Sequence, residues 1–313
     1  MLQVCDLTLY APRRRITPIW RVGLELRRGD RTAVVGESGG GKTSLAWAAV
    51  GYPVPGQSVV EGSVRFDGVD LLTLSRDRRA DLYYRRLALV PQNVQDTFHP
   101  TQRLWKSVGE VLRKGAGRRL SRHEVLERVE ALGAPLGIEA SNWDARPHEL
   151  SGGQKQRMGL VQAMVNDPDL LILDEPTHAL DELNRARLIR FVDRWTSERA
   201  VGILLCTHDL GLAGAWADRI LVLYRGCMVE ELPAGPMVRP LHPYTRDLLD
   251  SAVRLGDAPG SRSAVRGHAR LLEGEPVGCG YADRCAVVGD LCRREAPPLV
   301  EDGRQKAWCH RAG

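Results

Sequence analysis

Gly36-Glu37-Ser38-Gly39-Gly40-Gly41-Lys42-Thr43 carries the spacing Gly-x-x-x-x-Gly-Lys-Ser/Thr, and the apolar run Thr32 to Val35 leads into it. A helical segment from Lys42 to Val50 follows, so the motif lies between a strand and a helix, the context its chemistry requires. Glycines let successive backbone N–H groups turn toward phosphate oxygens, and the helix N-terminus adds partial positive charge beneath them. Lys42 is placed to reach the β and γ phosphates and Thr43 to hold Mg2+. Gly36, Ser38, Gly39, Gly40, Gly41, Lys42, Thr43 and Ser44 are therefore candidate nucleotide contacts. A second stretch, Leu170-Leu171-Ile172-Leu173, is an apolar strand that ends in Asp174-Glu175. Carboxylates at such a strand end suit Mg2+ binding through water (Asp174) and polarisation of an attacking water (Glu175). The same pair can merely cap a helix, but a phosphate-binding loop in the same chain favours catalysis. In a third stretch, Leu150-Ser151-Gly152-Gly153-Gln154, Ser151 is a good N-cap for the helix it begins.

The elements that must position these groups are legible around them. From residue 1 to about 70 the pattern is short alternating strands with turns between them. Between about 97 and 150 the period becomes helical: Leu104, Val108, Val111 and Leu112 fall on one face, and Val125, Val129 and Leu132 continue the pattern. A helix from Ser151 to Val165 leads to the strand at 170–173, and a helix from about Asp181 to Trp195 leads to the strand at 201–205. A last strand pair, Ile220 to Tyr224 and Cys227 to Glu231, turns at Arg225-Gly226. Strands alternating with crossover helices imply an α/β fold with a mostly parallel sheet covered on both faces. Beyond Pro243 the composition shifts to Gly, Pro, Arg and Cys, which places a boundary near residue 250.

Composition narrows the function classes. The chain has 313 residues, 43% of them apolar, enough for a large core and a smaller appendage. Its net charge of +5 is spread over 44 basic and 39 acidic residues, without the concentrated footprint of a nucleic-acid binder. Arg13-Arg14-Arg15 and the cluster from Arg76 to Arg86 read as solvated surface. No apolar run approaches the roughly 20 residues of a membrane span, and the N-terminus has no charged start or apolar core of a signal peptide. A cytosolic location is expected, in which the seven cysteines are thiols or metal ligands rather than disulfides.

In their order and spacing these motifs resemble those of the ABC ATPases, over residues 1 to about 250. The resemblance implies a P-loop NTPase core of the ABC ATPase type. It comprises a mostly parallel sheet with helices, an antiparallel β subdomain, and a helical insertion over about 97–165. It further implies that Ser151, Gly152, Gly153 and Gln154 form the signature segment, which touches the nucleotide held by a second ATPase subunit, identical or paralogous. Gln92, after the strand Leu87 to Val90, resembles the glutamine that senses Mg2+ and the attacking water. His208, in Cys206-Thr207-His208-Asp209, resembles the switch histidine at the γ-phosphate, and Asp181, in Ala179-Leu180-Asp181, the interface aspartate. Tyr10 is the candidate for stacking on adenine, with an ordinary strand tyrosine as the other reading. ATP and Mg2+ are the implied substrate and ion, and two transmembrane permease subunits the implied partners. The implied location is peripheral, at the cytoplasmic face of the cell membrane.

His242-Pro243-Tyr244-Thr245, with Leu248-Leu249, resembles the region after the core in oligopeptide, dipeptide and nickel importer ATPases. Cys279, Cys285, Cys292 and Cys309 resemble that subfamily's C-terminal cysteine region, here 251–313, which in some members holds an iron-sulfur cluster. Four thiolates can ligate a 4Fe-4S cluster or a tetrahedral zinc ion. Gaps of five, six and sixteen residues lack the tight knuckle of structural zinc sites and favour the cluster, with free thiols the remaining reading. Cys5, Cys206 and Cys227 lie in strand patterns and read as small buried apolar groups. The segment from Gln92 to Pro100, where a permease would dock, departs from the subfamily's usual sequence, as does His178. Peptides are the first expectation for cargo and nickel or a metal chelate the second, delivered by an extracytoplasmic binding protein. A soluble ABC ATPase uncoupled from transport is the reading from another class, and the lack of sustained heptads counts against it.

Overall fold

The computed structural model describes residues 1–178, 180–235, 239–251 and 271–312. Its first elements are strands β1 (Leu2–Ala11), β2 (Ile16–Leu26) and β3 (Arg31–Val35), helix α1 (Lys42–Ala49), and strands β4 (Ser58–Phe66) and β5 (Val69–Asp70). Helix α2 (Arg76–Arg85), strand β6 (Leu87–Val90), and helices α3 (Leu104–Ala116), α4 (Arg122–Gly133) and α5 (Gly152–Met164) follow. Then come β7 (Leu170–Asp174), α6 (Glu182–Arg199), β8 (Gly202–Thr207), α7 (Leu210–Trp216), β9 (Arg219–Tyr224) and β10 (Cys227–Pro233). The last are α8 (Pro243–Ser251), α9 (Asp290–Arg294), β11 (Leu299–Asp302) and β12 (Gln305–Trp308). The boundary expected near residue 250 adjoins residues 252–270, which lie outside the described residues, as does Ala179.

The chain divides into two compact units, one of Met1–Leu26, Arg31–Asp70 and Leu205–Gly313, the other of Arg27–Asp30 and Leu71–Leu204. The first contains an antiparallel sheet of order β2-β1-β4-β5. Leu2, Val4, Leu7 and Leu9 of β1 are buried. A bulge at Asp6, whose φ is +45°, resets the alternation between Val4 and Leu7. Cys5, expected as a buried apolar group, is exposed instead. The cause is the period of two: with Leu2 and Val4 inward, Cys5 falls on the outer face beside Gln3. Cys206 is buried, with its thiol donating to the Lys42 carbonyl at 3.7 Å, and Cys227 is half-buried. The connection between β1 and β2, residues 12–15, is tight, because Ala11 already pairs with Ile16.

The same unit carries the strand order β11-β12-β10-β9-β3. β3 and β9 are parallel, Val35 opposite Val222, while β9, β10, β12 and β11 are antiparallel neighbours. The C-terminal segment thus extends a sheet edge, Glu230 of β10 opposite Ala307 of β12, and makes β11 the outermost strand.

In the second unit β6 and β7 run parallel, with β8 beside β7. Every residue of β7 is buried, as a strand covered on both faces requires. Its start is pinned by Asp169, which accepts from Arg86 Nε and Arg28 Nη1, each at 2.6 Å. α3 buries Leu104 and Val108, the face its spacing predicts. α4 begins with a reciprocal cap between Ser121 and Glu124. Asn166 donates to the carbonyls of Tyr84 (2.8 Å) and Val111 (3.0 Å), tying α2 and α3 to the end of α5. The expected α/β class is met by a mixed sheet, an antiparallel sheet and a helical stretch. Among the described residues no helix is long and apolar enough to cross a membrane.

Candidate nucleotide-binding and hydrolysis site

In the first unit the glycine loop leaves β3 level with Leu223 and ends where α1 begins at Lys42. A Cβ on Gly36 would stand 2.2 Å from the Leu223 carbonyl oxygen, and one on Gly41, at φ +102°, 2.3 Å from that of Pro18. Only glycine fits either place. Lys42 is 6% exposed, and its ammonium donates to the carbonyls of Gly36 (2.8 Å) and Glu37 (3.1 Å). The loop therefore folds over its own lysine, and phosphate oxygens can take the place of those carbonyls. Ser38 and Gly39 are exposed, Gly40 is buried, and Thr43 is half-buried in the first turn of α1. Ser44 is buried, and its hydroxyl accepts from Gln57 Nε2 at 2.9 Å. Tyr10 lies half-buried on β1, opposite Ser58. His208 is exposed just after β8. The turn around it is held by Asp209, which donates its N–H to Thr207 Oγ1 (3.0 Å) and caps α7 through Leu212 N–H (2.8 Å).

In the second unit the parallel register sets Val90 opposite Leu173. Gln92 and the pair Asp174-Glu175 consequently emerge at the same edge, where open α/β sheets carry their chemistry. Asp174 is fully buried and Glu175 7% exposed, while Gln92 is exposed. Glu175 has φ +50°, a left-handed backbone for a residue with a side chain, which costs about 1 kcal/mol or more. The Asp174 carboxylate is a hard oxygen donor of the kind Mg2+ takes.

Ser151 caps α5 reciprocally: its hydroxyl accepts from Gln154 N–H (3.2 Å), and its N–H donates to Gln154 Oε1 (2.9 Å). The N–H groups of Gly152 and Gly153 lie in the turn that has no acceptor within its own helix. Arg157 braces this turn by donating to the Gly153 (3.2 Å) and Leu136 (2.8 Å) carbonyls. Asp181 caps α6, accepting from Asn184 N–H (2.8 Å) and Nδ2 (2.7 Å), and the backbone bond is the main reason its carboxyl is held below the ordinary range. A cavity of about 430 Å³ opens along the segment after Gln92, lined by Leu89, Val94, Phe98, His99, Glu110 and Lys114 among others.

Behind the glycine loop, Glu230 of β10 accepts from the N–H groups of Leu241 (2.6 Å) and His242 (3.2 Å), anchoring the start of α8. Burial pushes the Glu230 carboxyl up and the His242 imidazole down to about 4, the latter helped by Arg246. Tyr244 is thereby fixed in α8, and its hydroxyl accepts the Glu37 N–H at 2.9 Å. Its ring lies 4.6 Å from Tyr224 and 5.2 Å from Tyr281, forming a buried three-tyrosine cluster. Tyr281 donates to Asp247 of α8. Arg284 lies over the Tyr224 and Tyr281 rings and donates to both Glu37 carboxylate oxygens (2.9 and 3.1 Å) and to the Tyr224 hydroxyl (3.0 Å). Tyr224, Tyr281 and Arg284 were outside the sequence-based candidate set. The one local hint was an arginine directly before Cys285.

None of the seven cysteines, all among the described residues, is in a disulfide. The Sγ atoms of Cys279, Cys285 and Cys309 accept N–H groups two residues ahead, from Tyr281, Val287 and Arg311. Burial pushes these thiols up, Cys279 to about 11, and the charges of the neighbouring cysteines push the same way. Four sulfur donors with backbone N–H···S bonds at three of them are a set of the kind thiolate-bound groups use, whereas burial alone favours the protonated thiols. In its geometry the set does not close on such a group, because among the described residues no three His, Cys, Asp or Glu side chains are arranged to hold a metal ion.

Residues 19–178 match the ABC transporter family, and residues 229–292 match the oligopeptide/dipeptide transporter C-terminal region. The oligopeptide transport ATP-binding protein OppD of Mycobacterium bovis is 34% identical over 96% of this chain, which spans 50% of that relative's length. The dipeptide transport ATP-binding protein DppD of Caldanaerobacter subterraneus is 31% identical over 92% of this chain and 89% of its own. Among solved structures, the dimeric bacterial ABC transporter cassette MJ0796 superposes with a TM-score of 0.70 at 22% identity, covering 76% of this chain and 100% of its own; it speaks for the fold alone. The chain therefore belongs to the ABC transporter family, among the members that carry the oligopeptide/dipeptide transporter C-terminal region.

Proposed function

We propose that this chain is the ATP-binding and ATP-hydrolysing subunit of an ABC importer for oligopeptides or dipeptides. The observation that carries the reading is the joining, in one chain, of a Gly36–Thr43 loop, an Asp174-Glu175 strand end and an oligopeptide/dipeptide-type C-terminal region. Peptide-transport relatives matching over most of the chain support the cargo, with nickel or a metal chelate the second reading.

In this reading two such subunits close around two ATP molecules. Lys42 and Glu175 of one chain and Ser151 and Gly153 of the other act on each nucleotide. Asp174, Thr43 and Gln92 would hold Mg2+, which supplies charge neutralisation at the phosphates. Glu175 takes the proton of the attacking water, and His208 contacts the γ-phosphate. Gly152 and Gly153 direct their N–H groups at the terminal phosphate from the opposite chain. Gln154 holds Ser151 in place, Asp181 lies at the dimer interface, and Tyr10 stacks on adenine. The cavity after Gln92 receives a segment of a permease, one of two transmembrane subunits that keep the ATPase at the cytoplasmic face of the membrane. A binding protein outside the cell delivers the cargo.

Affinity purification of the tagged chain from detergent-solubilised membranes tests the reading. It is expected to bring down polytopic membrane proteins together with Mg2+-dependent ATPase activity. ATPase recovered only in the soluble fraction, without membrane partners, would favour an ABC protein uncoupled from transport.

The quartet Cys279, Cys285, Cys292 and Cys309 we read as the ligands of a 4Fe-4S cluster that staples the C-terminal segment, a reading the i to i+2 N–H···S bonds support. Anaerobically purified protein is then expected to be brown and to absorb near 400 nm, a region typical of thiolate-bound iron-sulfur clusters. Colourless protein with stoichiometric zinc, or with neither metal and all seven thiols titratable after denaturation, would exclude the cluster.

A further inference from the structure

We propose that Arg284, carried by the cysteine-bearing C-terminal segment, is a positioning residue of the phosphate loop: it neutralises and orients Glu37 so that the loop can accept a nucleoside triphosphate. This rests on the ATPase reading above and deepens it, because it makes a segment far along the chain part of the nucleotide site.

The argument begins with a charge problem. Glu37 is the second residue of a loop whose ligand carries several negative charges, and a carboxylate there repels that ligand. It is not left to solvent, since its side chain is 24% exposed and that of Arg284 only 9%. The guanidinium meets both carboxylate oxygens with two N–H groups, the bidentate geometry that fixes direction as well as charge. Glu37 is also held at its other polar groups. Its N–H donates to Tyr244, and its carbonyl accepts from Lys42. One residue thus links the phosphate-binding lysine to the C-terminal segment.

Arg284 is itself held firmly. Its ring partners Tyr224 and Tyr281 are buried, and Cys285, the next residue, donates its N–H to the Tyr281 carbonyl at 3.0 Å. Cys279 donates to the Cys292 carbonyl at 2.7 Å, so the cysteine-bearing turns and the arginine form one backbone-bonded framework. Its position is therefore communicated to the loop through a pair that reaches across 247 residues of sequence.

Equilibrium nucleotide binding by the full-length chain tests this. Arg284→Gln is expected to weaken ATP binding by about tenfold or more, ADP by less and AMP least, because the uncovered carboxylate acts on charge. In a Glu37→Gln background the same substitution is expected to have little further effect, because the two groups act through each other, and the graded order of ATP, ADP and AMP separates a charge effect from loss of a structural contact. Arg284→Lys keeps the charge and most of the buried stem, is the variant least prone to unfold, and is expected to fall between the parent and Arg284→Gln. Equal losses for all three nucleotides, persistence of the loss without Glu37, or Arg284→Lys as weak as Arg284→Gln would each overturn the proposal. Failure of the parent to bind ATP would instead remove the ATPase reading itself.

Discussion

Replacing Glu175 with glutamine is expected to slow ATP turnover by roughly 10²–10⁴-fold while nucleotide binding persists. Glutamine matches glutamate in shape, so it can occupy the same buried position after β7 and the same left-handed backbone at φ +50°. What it cannot do is accept a proton from water. Binding and hydrolysis should therefore separate. Radiolabelled ATP is expected to stay bound and unhydrolysed, and size exclusion in ATP and Mg2+ is expected to show accumulated dimer. Turnover equal to that of the parent would show that another group activates the water.

The second large effect concerns Lys42. Lys42→Ala is expected to raise the dissociation constant for ATP by roughly 10²-fold or more, since a charge-assisted hydrogen bond to a phosphate is lost where water is scarce. Lys42 is 6% exposed, and its ammonium already makes two hydrogen bonds to loop carbonyls. Its removal leaves those carbonyls without that donor and the triphosphate without its strongest cation. Isothermal titration with ATP, beside circular dichroism to confirm folding, measures this. Retained micromolar binding in a folded Lys42→Ala protein would mean that the loop N–H groups suffice.

What the sequence disclosed and what it withheld divide along a physical line. The glycine loop, the β7 strand with its two carboxylates and the Ser151 cap depend on neighbours within about ten residues, so their spacing announces them. The Ser151–Gln154 cap has the geometry its residue types suggest. Arg284 and Glu37 stand at the opposite limit, because no local pattern marks a pair joined only by the folding of the sheet. The left-handed turn at Glu175 was equally hidden, as glutamate is not a residue that advertises positive φ. Cys5 shows a reading that alternation, applied strictly, would have corrected, since Leu2 and Val4 claim the inward positions. The β11–β12 hairpin was obscured by the Gly, Pro, Arg and Cys around it, although Gly303-Arg304, the two-residue turn between Asp302 and Gln305, opens on the glycine such turns favour.

The surroundings of the phosphate loop are largely main chain. Gly36 faces the carbonyl of Leu223, Gly41 that of Pro18, and the Gly226 amide bonds the Gly40 carbonyl at 3.0 Å. Backbone has no rotamers to yield, so this cradle is cast when the protein folds rather than moulded by its guest. An arriving triphosphate then meets dipoles already aimed, and little ordering entropy is charged to binding. The mould itself belongs to β2 and to the turn between β9 and β10, so a slip of register in those strands would be felt as a misfit at the nucleotide.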